Sequence, residues 1–335
     1  MINTKNIIIS PSGNLYGSEN VLFDFLEGSR KRYKIFAPAK SPFYKRLKRS
    51  RYQVCGYKNT WLLYFRVLIN LFFFKRNLLL NEAGHIRYVK ILSSFFPKRK
   101  FIIIVRILED CNSYLNQLNN NVELVAISNF ISQNIQSNRG VHVIYDPFTL
   151  TNNEGAWNRK QDSLIQIGIL GRITKSKGLD HFFNLIETLN SQQREKFNFL
   201  FFGSVHANDD WAVDFKKKLR SYSNINFNFK GFIDNQFDLY SSFDILLHLN
   251  ENEPLGRIIF ESVDACKPFL CSNKGGTGEL AKKLGLENYT YESVLEIGLK
   301  IDNILHQREP LIKARNVIEL EYSSEQYAIQ IEKLF

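Results

Sequence analysis

The chain has 335 residues, of which 44% are hydrophobic and 23% charged. This length supports two domains with separate cores, and the composition excludes a disordered or low-complexity chain. The net charge of +11 is uneven, because residues 1–150 hold 22 Lys and Arg against 8 Asp and Glu, a charge of +14. This half is expected to face an anionic partner such as a lipid headgroup, a lipid diphosphate or nucleic acid, and a basic surface kept for solubility is the alternative.

The N-terminal half alternates short apolar runs with helix-like segments, which is typical of a parallel sheet. Trp61–Phe74 is the longest apolar segment, and its fourteen residues, interrupted by Arg66, are too few to span a bilayer. The flanking segments Lys45–Arg51 and Lys75–Arg76 are basic. The apolar segment could therefore form a helix in a membrane interface, or equally a helix buried against a sheet. The predicted strands are 6–10, 33–37, 78–81, 101–107, 123–127 and 141–145, and the predicted helices lie near 18–30, 60–74, 86–95, 112–119 and 129–138.

A polar stretch at 146–163 has the chemistry of a linker, and the alternation repeats from Leu164 onward. Two Rossmann-like domains are therefore expected, at 1–148 and 149–321, with a C-terminal helix at about 322–335 packing back on the first. The predicted strands of the second half lie near 164–170, 197–203, 225–231, 244–249 and 268–272, and the helices near 178–190, 211–221, 235–242, 256–265, 276–284 and 292–334, the last broken at Pro310.

Cysteine usage and the N-terminus predict the cellular compartment. Four cysteines are scattered without a CxxC pair, which indicates a reducing compartment with neither a disulfide framework nor a zinc site. The apolar run Ile7–Ile9 is too short for the core of a secretory signal. A cytoplasmic protein is expected.

A helix start follows the apolar run Ile245–Leu249, which predicts a buried strand. Pro254 suits the first position of a helix, and Gly256 lets a ligand approach the backbone. A helix beginning here would direct free N–H groups and its positive dipole end at an anion. Glu253 would lie at the N-terminus of this helix, and Glu261 about two turns into it. Two acids around an anion site indicate a ligand with phosphates and hydroxyls, such as a nucleotide sugar.

Two further segments combine glycine with charged residues directly after a predicted strand. After the strand at 164–170, Gly171 permits a tight turn, and the cations Arg172 and Lys177 suit a diphosphate. The spacing is not that of a Walker A loop, because Ser176 occupies the second glycine position. The third segment, Lys274–Leu280, places a glycine turn and an acid after the next strand.

Together these three segments resemble family-4 glycosyltransferases, which are retaining enzymes of the GT-B fold. Glu253 and Glu261 match the family's glutamate–seven residues–glutamate motif, and the three segments occur in family order across residues 165–280. The resemblance implies an α/β, GT-B protein whose two parallel sheets face each other across a cleft that holds the active site. It also implies a hexosyltransferase-type enzyme that uses a nucleotide sugar as substrate and needs no metal and no other cofactor.

The resemblance assigns roles to particular residues of this chain. Arg172 and Lys177 would hold the donor diphosphate beside Gly171. Glu253 would contact hydroxyls of the donor sugar, and Glu261 the nucleotide ribose. Further backbone groups near the donor would come from Leu255, Gly256 and Gly13, the last lying in the family's N-terminal glycine loop.

The acceptor side departs from the family pattern. Many relatives place a histidine at the end of the strand that corresponds to 101–107, where this chain has Arg106. Arg106 would bind an anionic acceptor better than it would move a proton, because its pKa exceeds 12. His85 is a possible substitute, and Glu109 is a third acceptor-side candidate.

The sequence therefore predicts a metal-independent glycosyltransferase that acts on a saccharide or lipid-linked acceptor in bacterial surface polysaccharide synthesis, such as lipopolysaccharide or capsule. The charge of the first half favours a peripheral position on the inner face of the membrane. A same-fold sugar epimerase or phosphorylase is the nearer alternative, and a basic nucleic-acid-binding protein is the more distant one, without a supporting motif. Asp209-Asp210 lacks the Asp-x-Asp spacing of metal-dependent transferases and is interpreted as a solvated loop.

Overall fold

The computed structural model describes residues 6–15, 17–151, 164–205 and 209–335. The chain forms two compact units. Unit 1 comprises Met1–Thr149 together with Glu319–Phe335, and unit 2 comprises Leu150–Ile318. None of the helices described is both long and apolar enough to cross a bilayer.

Unit 1 contains a seven-stranded sheet in the order β3-β2-β1-β4-β5-β6-β7, and all pairs of neighbours are parallel. Strands β1 and β5, on either side of the middle strand, are buried along their whole length, which explains their apolar sequence. The strands are β1 Asn6–Ile9, β2 Tyr33–Pro38, β3 Gln53–Tyr57, β4 Asn77–Leu80, β5 Phe101–Val105, β6 Val122–Ala126 and β7 Val141–Val143.

The helices of unit 1 include one from the end of the chain. In this helix, α14, Tyr327 packs edge-on against Phe25 of α1, and Glu332 accepts a hydrogen bond of 2.7 Å from the Tyr33 hydroxyl. The helices are α1 Gly17–Gly28, α2 Pro42–Arg49, α3 Thr60–Phe73, α4 Ile86–Phe95, α5 Asn129–Asn134 and α14 Ser324–Glu332.

Unit 2 contains a six-stranded parallel sheet in the order β10-β9-β8-β11-β12-β13. Phenylalanines build much of its core. The ring of Phe182 lies 4.9 Å from that of Phe199 and 5.1 Å from that of Phe201, both in edge-to-face geometry. The strands are β8 Ile165–Leu170, β9 Phe197–Phe202, β10 Asn226–Gly231, β11 Ile245–His248, β12 Phe269–Ser272 and β13 Thr290–Tyr291.

The helical region predicted at 292–334, broken at Pro310, holds three separate helices. The first break precedes Pro310, which lies in the first turn of α13, where a missing N–H costs nothing. The second break is at Ser323, whose hydroxyl caps α14. Unit 2 contributes α6 His181–Thr188, α7 Ser191–Lys196, α8 Asp210–Arg220, α9 Gln236–Ser241, α10 Arg257–Asp264, α11 Gly275–Lys283 and α12 Ile297–Ile304, and α13 Glu309–Glu321 ends in unit 1.

Candidate active site

The candidate donor site lies at the carboxyl ends of β8 and β11 in unit 2. These strands are neighbours although β9 and β10 separate them in sequence, so the strand order reverses between them. Open parallel sheets bind ligands at such a reversal. Gly171, Arg172 and Lys177 follow β8, and Glu253 follows β11, so the fold brings two separate sequence segments to one place.

The side chains of Lys177 and Glu253 meet directly. Lys177 Nζ lies 3.1 Å from Glu253 Oε2, and the buried Asn250 donates a hydrogen bond of 2.7 Å to the same oxygen. Burial raises the pKa of Glu253, but the Lys177 ammonium, His248 and the Asn250 amide outweigh burial and hold the pKa below its ordinary value. Glu253 is therefore a fixed, ionised acceptor of hydrogen bonds.

His248, the last residue of β11, belongs to the same cluster and was not predicted. Its Nε2 lies 3.7 Å from Glu253 Oε2 and, among the residues that the structure describes, has no hydrogen-bond partner. Burial lowers the pKa of His248 to about 4 in spite of the neighbouring carboxylate, so the ring is neutral near pH 7. The available signal was a polar residue inside an apolar strand next to the turn that carries Glu253.

The turn after Glu253 moves the start of α10 toward the C-terminus. The first helical residue of α10 is Arg257, one residue after the start of the helix predicted at 256–265. Pro254 does not occupy the first helical position as expected, because Gly256 is the N-cap residue and adopts a left-handed conformation with φ of +84°. Leu255 is buried, and Glu261 therefore lies a little more than one turn into the helix rather than two.

We expect Gly256→Ala to destabilise the protein by about 2 kcal/mol or more. A left-handed conformation costs an L-residue about 1–2 kcal/mol, and the new Cβ would lie 2.3 Å from Thr277 Cγ2. Gly140→Ala is the matched control, since a Cβ there meets nothing within 4 Å. Urea denaturation measures the free energy of unfolding of both variants. Equal values would contradict this interpretation of Gly256.

The third sequence segment supports the turn. The Gly276 N–H donates a hydrogen bond of 2.7 Å to the Glu253 carbonyl oxygen, and a Cβ on Gly276 would lie 2.2 Å from the Pro254 carbonyl oxygen. Lys274 forms an ion pair of 2.9 Å with Glu251 on the same turn. The glycine turn at the start of α11 therefore lets this helix pack against the backbone that positions Glu253.

Glu261 is held by two neighbours. The Tyr240 hydroxyl donates to Glu261 Oε2 at 3.3 Å, and Arg257 Nε lies 3.8 Å from Oε1. Burial raises the pKa of Glu261 although both neighbours oppose this change. Sequence reasoning did not identify Tyr240, which lies on α9, sixteen residues before Gly256 along the chain.

Arg172 and Gly171 complete the β8 side of the site. Arg172 is exposed, and the Lys177 side chain passes over Gly171, where an added Cβ would lie 3.7 Å from Lys177 Cδ. Two cations therefore stand on one turn, one held by Glu253 and one projecting into solvent. This arrangement offers positive charge to a diphosphate.

Gly13 has a packing reason of its own in unit 1. Its carbonyl oxygen accepts a hydrogen bond of 3.1 Å from the Phe43 N–H, and an added Cβ would lie 2.5 Å from Ser41 Cβ. The loop after β1 is thus fixed against the start of α2. Its donor contact stays a prediction.

Arg106 is occupied in the interior of unit 1. Its Nη1 lies 2.6 and 2.7 Å from the two carboxylate oxygens of Asp146, and its Nε donates to the Asn81 carbonyl oxygen at 3.0 Å. Only 7% of the residue is exposed. A buried, fully engaged guanidinium holds the fold together, so we do not propose Arg106 as an acceptor contact.

The other two acceptor-side candidates lie after neighbouring strands. His85 follows β4 and contacts the rings of Tyr64 and Tyr88 edge-on, and burial lowers its pKa. Glu109 is exposed in the turn after β5. Both remain available for an acceptor, and their roles stay predictions.

Among the residues described, no group of three His, Cys, Asp or Glu side chains has the arrangement of a metal site. The Asp209 carboxylate caps α8 by accepting a hydrogen bond of 3.2 Å from the Ala212 N–H. Asp209-Asp210 therefore begins a helix, and the prediction of a solvated loop is wrong.

Sequence and structure comparisons identify the kind of enzyme. Residues 153–319 match the family model described as glycosyl transferases group 1. The chain is a glycosyltransferase. No curated protein matches it.

Solved glycosyltransferases share the fold over nearly the whole chain, which confirms the predicted α/β, GT-B fold class. Anabaena Alr3699/HepE in complex with UDP and glucose is 17% identical, with a TM-score of 0.74 and coverage of 98% of both chains. A glycosyltransferase from Rickettsia africae is 16% identical, with a TM-score of 0.73 and coverage of 98% of this chain and 97% of that one. The lipopolysaccharide outer core galactosyltransferase WaaB is 13% identical, with a TM-score of 0.69 and coverage of 98% of both chains.

Proposed function

We propose that this glycosyltransferase takes a sugar from a nucleotide diphosphate donor, with retention of anomeric configuration, as the resemblance to family 4 implies. The contact between Lys177 and Glu253 carries the proposal, because it joins a cation suited to phosphate and an acid suited to sugar hydroxyls at one strand reversal. The structure of Anabaena HepE with UDP and glucose, of similar fold, supports a donor of this class.

In the proposed reaction, an acceptor hydroxyl oxygen forms a bond to the anomeric carbon and gives its proton to the departing diphosphate. The bond between the anomeric carbon and the diphosphate oxygen breaks, and the diphosphate keeps the bonding electrons. Lys177 and Arg172 would stabilise the charge that develops on this oxygen. Glu253, ionised and fixed by Asn250, would accept hydrogen bonds from the sugar. Glu261 would accept hydrogen bonds from the ribose while Tyr240 and Arg257 hold its carboxylate in position.

We propose that the reaction needs no metal ion, since two cations and the start of α10 would supply the positive charge that the leaving diphosphate requires. Transfer is expected to continue at an unchanged rate in EDTA, which can be measured with metal-stripped enzyme. A rate that is lost in EDTA and restored by Mg²⁺ or Mn²⁺ would contradict this part of the proposal.

A donor screen tests the proposed reaction. UDP-, GDP- and dTDP-linked sugars are incubated with simple saccharides and with a bacterial lipid extract, and products are followed by mass spectrometry and by the NMR coupling of the anomeric proton. One donor is expected to yield a transferred sugar with the donor's anomeric configuration. Donor epimerisation or hydrolysis without transfer would favour the same-fold alternative enzymes.

We further propose a saccharide or lipid-linked acceptor of bacterial surface polysaccharide synthesis and a peripheral position at the cytoplasmic membrane face. The charge of +14 on residues 1–150 and the similarity in fold to the lipopolysaccharide galactosyltransferase WaaB support this proposal. Flotation with anionic vesicles at low salt tests the location, because screening is weakest there. Protein that stays at the bottom of the gradient would refute it.

A further inference from the structure

Helix α3 is apolar on two opposite faces. Val67 and Leu71 on one face are fully buried against the sheet of unit 1. On the other face Trp61 is 88%, Phe65 62% and Phe72 67% exposed. The prediction of a buried helix is therefore correct for one face, and the prediction of membrane contact stays a prediction for the other, exposed apolar face.

The exposed residues form one continuous strip, the α3 stripe, which we define as Trp61, Phe65, Leu68 and Phe72. Their spacing of four, three and four residues keeps them on one face of a helix. At 1.5 Å per residue the fourteen residues of α3 span about 21 Å. Because α3 connects the carboxyl end of β3 to the amino end of β4, the stripe runs the full height of the sheet.

Helix α4 extends the apolar surface. The rings of Tyr64 on α3 and Tyr88 on α4 stack 3.7 Å apart, so the two helices lie side by side. Helix α4 exposes Tyr88, Ile91 and Phe95, which are again spaced to lie on one face. Exposed apolar surface of this extent on a soluble domain marks an interaction site.

A basic groove begins where the stripe ends. It has a volume of about 1080 Å³ and lies at the amino ends of β2, β3 and β4, opposite the end of the sheet that carries Gly13 and His85. It is lined by residues 29–34 and 50–53, together with Leu26, Phe74 and Arg76. The side chains that matter for its chemistry are Arg32, Lys34, Arg51, Phe74 and Arg76.

Some cations of this groove form salt bridges with carboxylates, and others do not. Two neighbouring cations on its rim are neutralised by α14, since Arg30 pairs with Glu325 at 3.0 Å and Lys31 with Glu332 at 2.8 Å. In the described parts of the chain, no carboxylate forms a salt bridge with the cations Arg32, Lys34, Arg51 and Arg76. Uncompensated positive charge in a concave site attracts an anion.

Arg76 connects the groove to the stripe. It is buried, it donates a hydrogen bond to Asn70 on α3, and its guanidinium lies 4.8 Å from the centre of the Phe74 ring. Phe74 itself lines the groove and is largely exposed. Apolar and cationic surfaces therefore meet at this end of α3, as they do in proteins that lie in a membrane interface.

We propose that the groove binds the phosphate of an anionic phospholipid while the α3 stripe lies in the interface of the same bilayer. The inference rests on the proposed peripheral location and adds the site that would produce it. A helix lying flat along the membrane would also bring the opposite end of the sheet, with Gly13 and His85, to the bilayer surface where a lipid-linked acceptor is presented.

The charge arm of the test compares two double variants in vesicle binding. Arg32→Gln/Arg51→Gln removes two groove cations, and Lys217→Gln/Lys282→Gln removes two exposed cations of unit 2. On phosphatidylglycerol–phosphatidylcholine vesicles at low salt, the groove variant is expected to bind about 25-fold more weakly than wild type, about fivefold per cation, and the control to bind as wild type does. Pure phosphatidylcholine should bind far less wild-type protein.

The apolar arm compares Phe65→Ser/Phe72→Ser with Leu295→Ser/Leu299→Ser, a pair that is equally exposed on unit 2. Only the first is expected to lose binding, by tenfold or more, and thermal unfolding verifies that both variants fold. Groove and control variants that bind equally would overturn the headgroup site and leave the peripheral location standing. Wild-type protein that ignores anionic vesicles would overturn both, and the donor screen would still decide the reaction separately.

Discussion

Replacing Lys177 with Ala is expected to lower kcat about a hundredfold. Lys177 Nζ stands 3.1 Å from Glu253 on the turn after β8, where it would contact the leaving diphosphate. The loss of one such charge contact in the transition state costs about 3 kcal/mol. Arg172→Ala is expected to reduce the rate less, because this side chain is exposed and better screened.

Lys175→Ala is the matched control. Lys175 belongs to the same turn and carries the same charge, but it is exposed and has no carboxylate partner among the described residues. Initial rates at saturating donor should fall for Lys177→Ala and stay near wild type for Lys175→Ala. Near-normal turnover of the Lys177 variant would remove this residue from the catalytic machinery.

Arg106→Met is expected to destabilise the protein by about 3–5 kcal/mol, because it leaves the buried carboxylate of Asp146 without its partner. Burial lowers the pKa of Arg106, but Asp146 outweighs this effect and holds the pKa above its ordinary value, so the guanidinium stays charged. Urea denaturation followed by circular dichroism measures the loss.

Two further variants test whether the lost stability comes from breaking the ion pair or from removing a charge in general. Arg106→Met/Asp146→Leu removes both charges and should recover most of the stability, since a buried pair is often replaceable by apolar residues. Arg87→Met changes an exposed arginine and should stay within about 0.5 kcal/mol of wild type. An Arg106→Met protein of normal stability that binds acceptor poorly would restore Arg106 as an acceptor residue.

The elements that sequence predicted well are those with a strong local signal. Strand β5 is an unbroken apolar run and β8 is mostly apolar. The rule that ligands lie at carboxyl strand ends predicted that the ligand site is at this edge of the sheet. The segment Pro42–Tyr57 was missed, because α2 is short and highly charged and β3 is only partly buried. In α2 only Phe43 and Leu47, four residues apart, mark the buried face, and β3 shows no clear alternation of buried and exposed residues.

The features of the site that were not predicted depend on contacts between residues far apart in the sequence. Asp146 is forty residues from Arg106, so sequence offered no reason to see a buried ion pair instead of a free guanidinium. Tyr240 reaches Glu261 from another helix in the same way. His248 was treated as part of an apolar strand, and only the fold shows that its ring lies against Glu253.

Binding of nucleoside diphosphates tests the central claim most directly. UDP, GDP and dTDP are titrated by calorimetry, in EDTA, into wild-type protein, Lys177→Ala and Lys175→Ala. One of the three is expected to bind wild type and the Lys175 variant alike, and to bind the Lys177 variant at least about tenfold more weakly, since a charge-assisted hydrogen bond contributes about 1.5–3 kcal/mol. No binding by any of them, or equal affinity for both variants, would contradict a donor site at the carboxyl ends of β8 and β11.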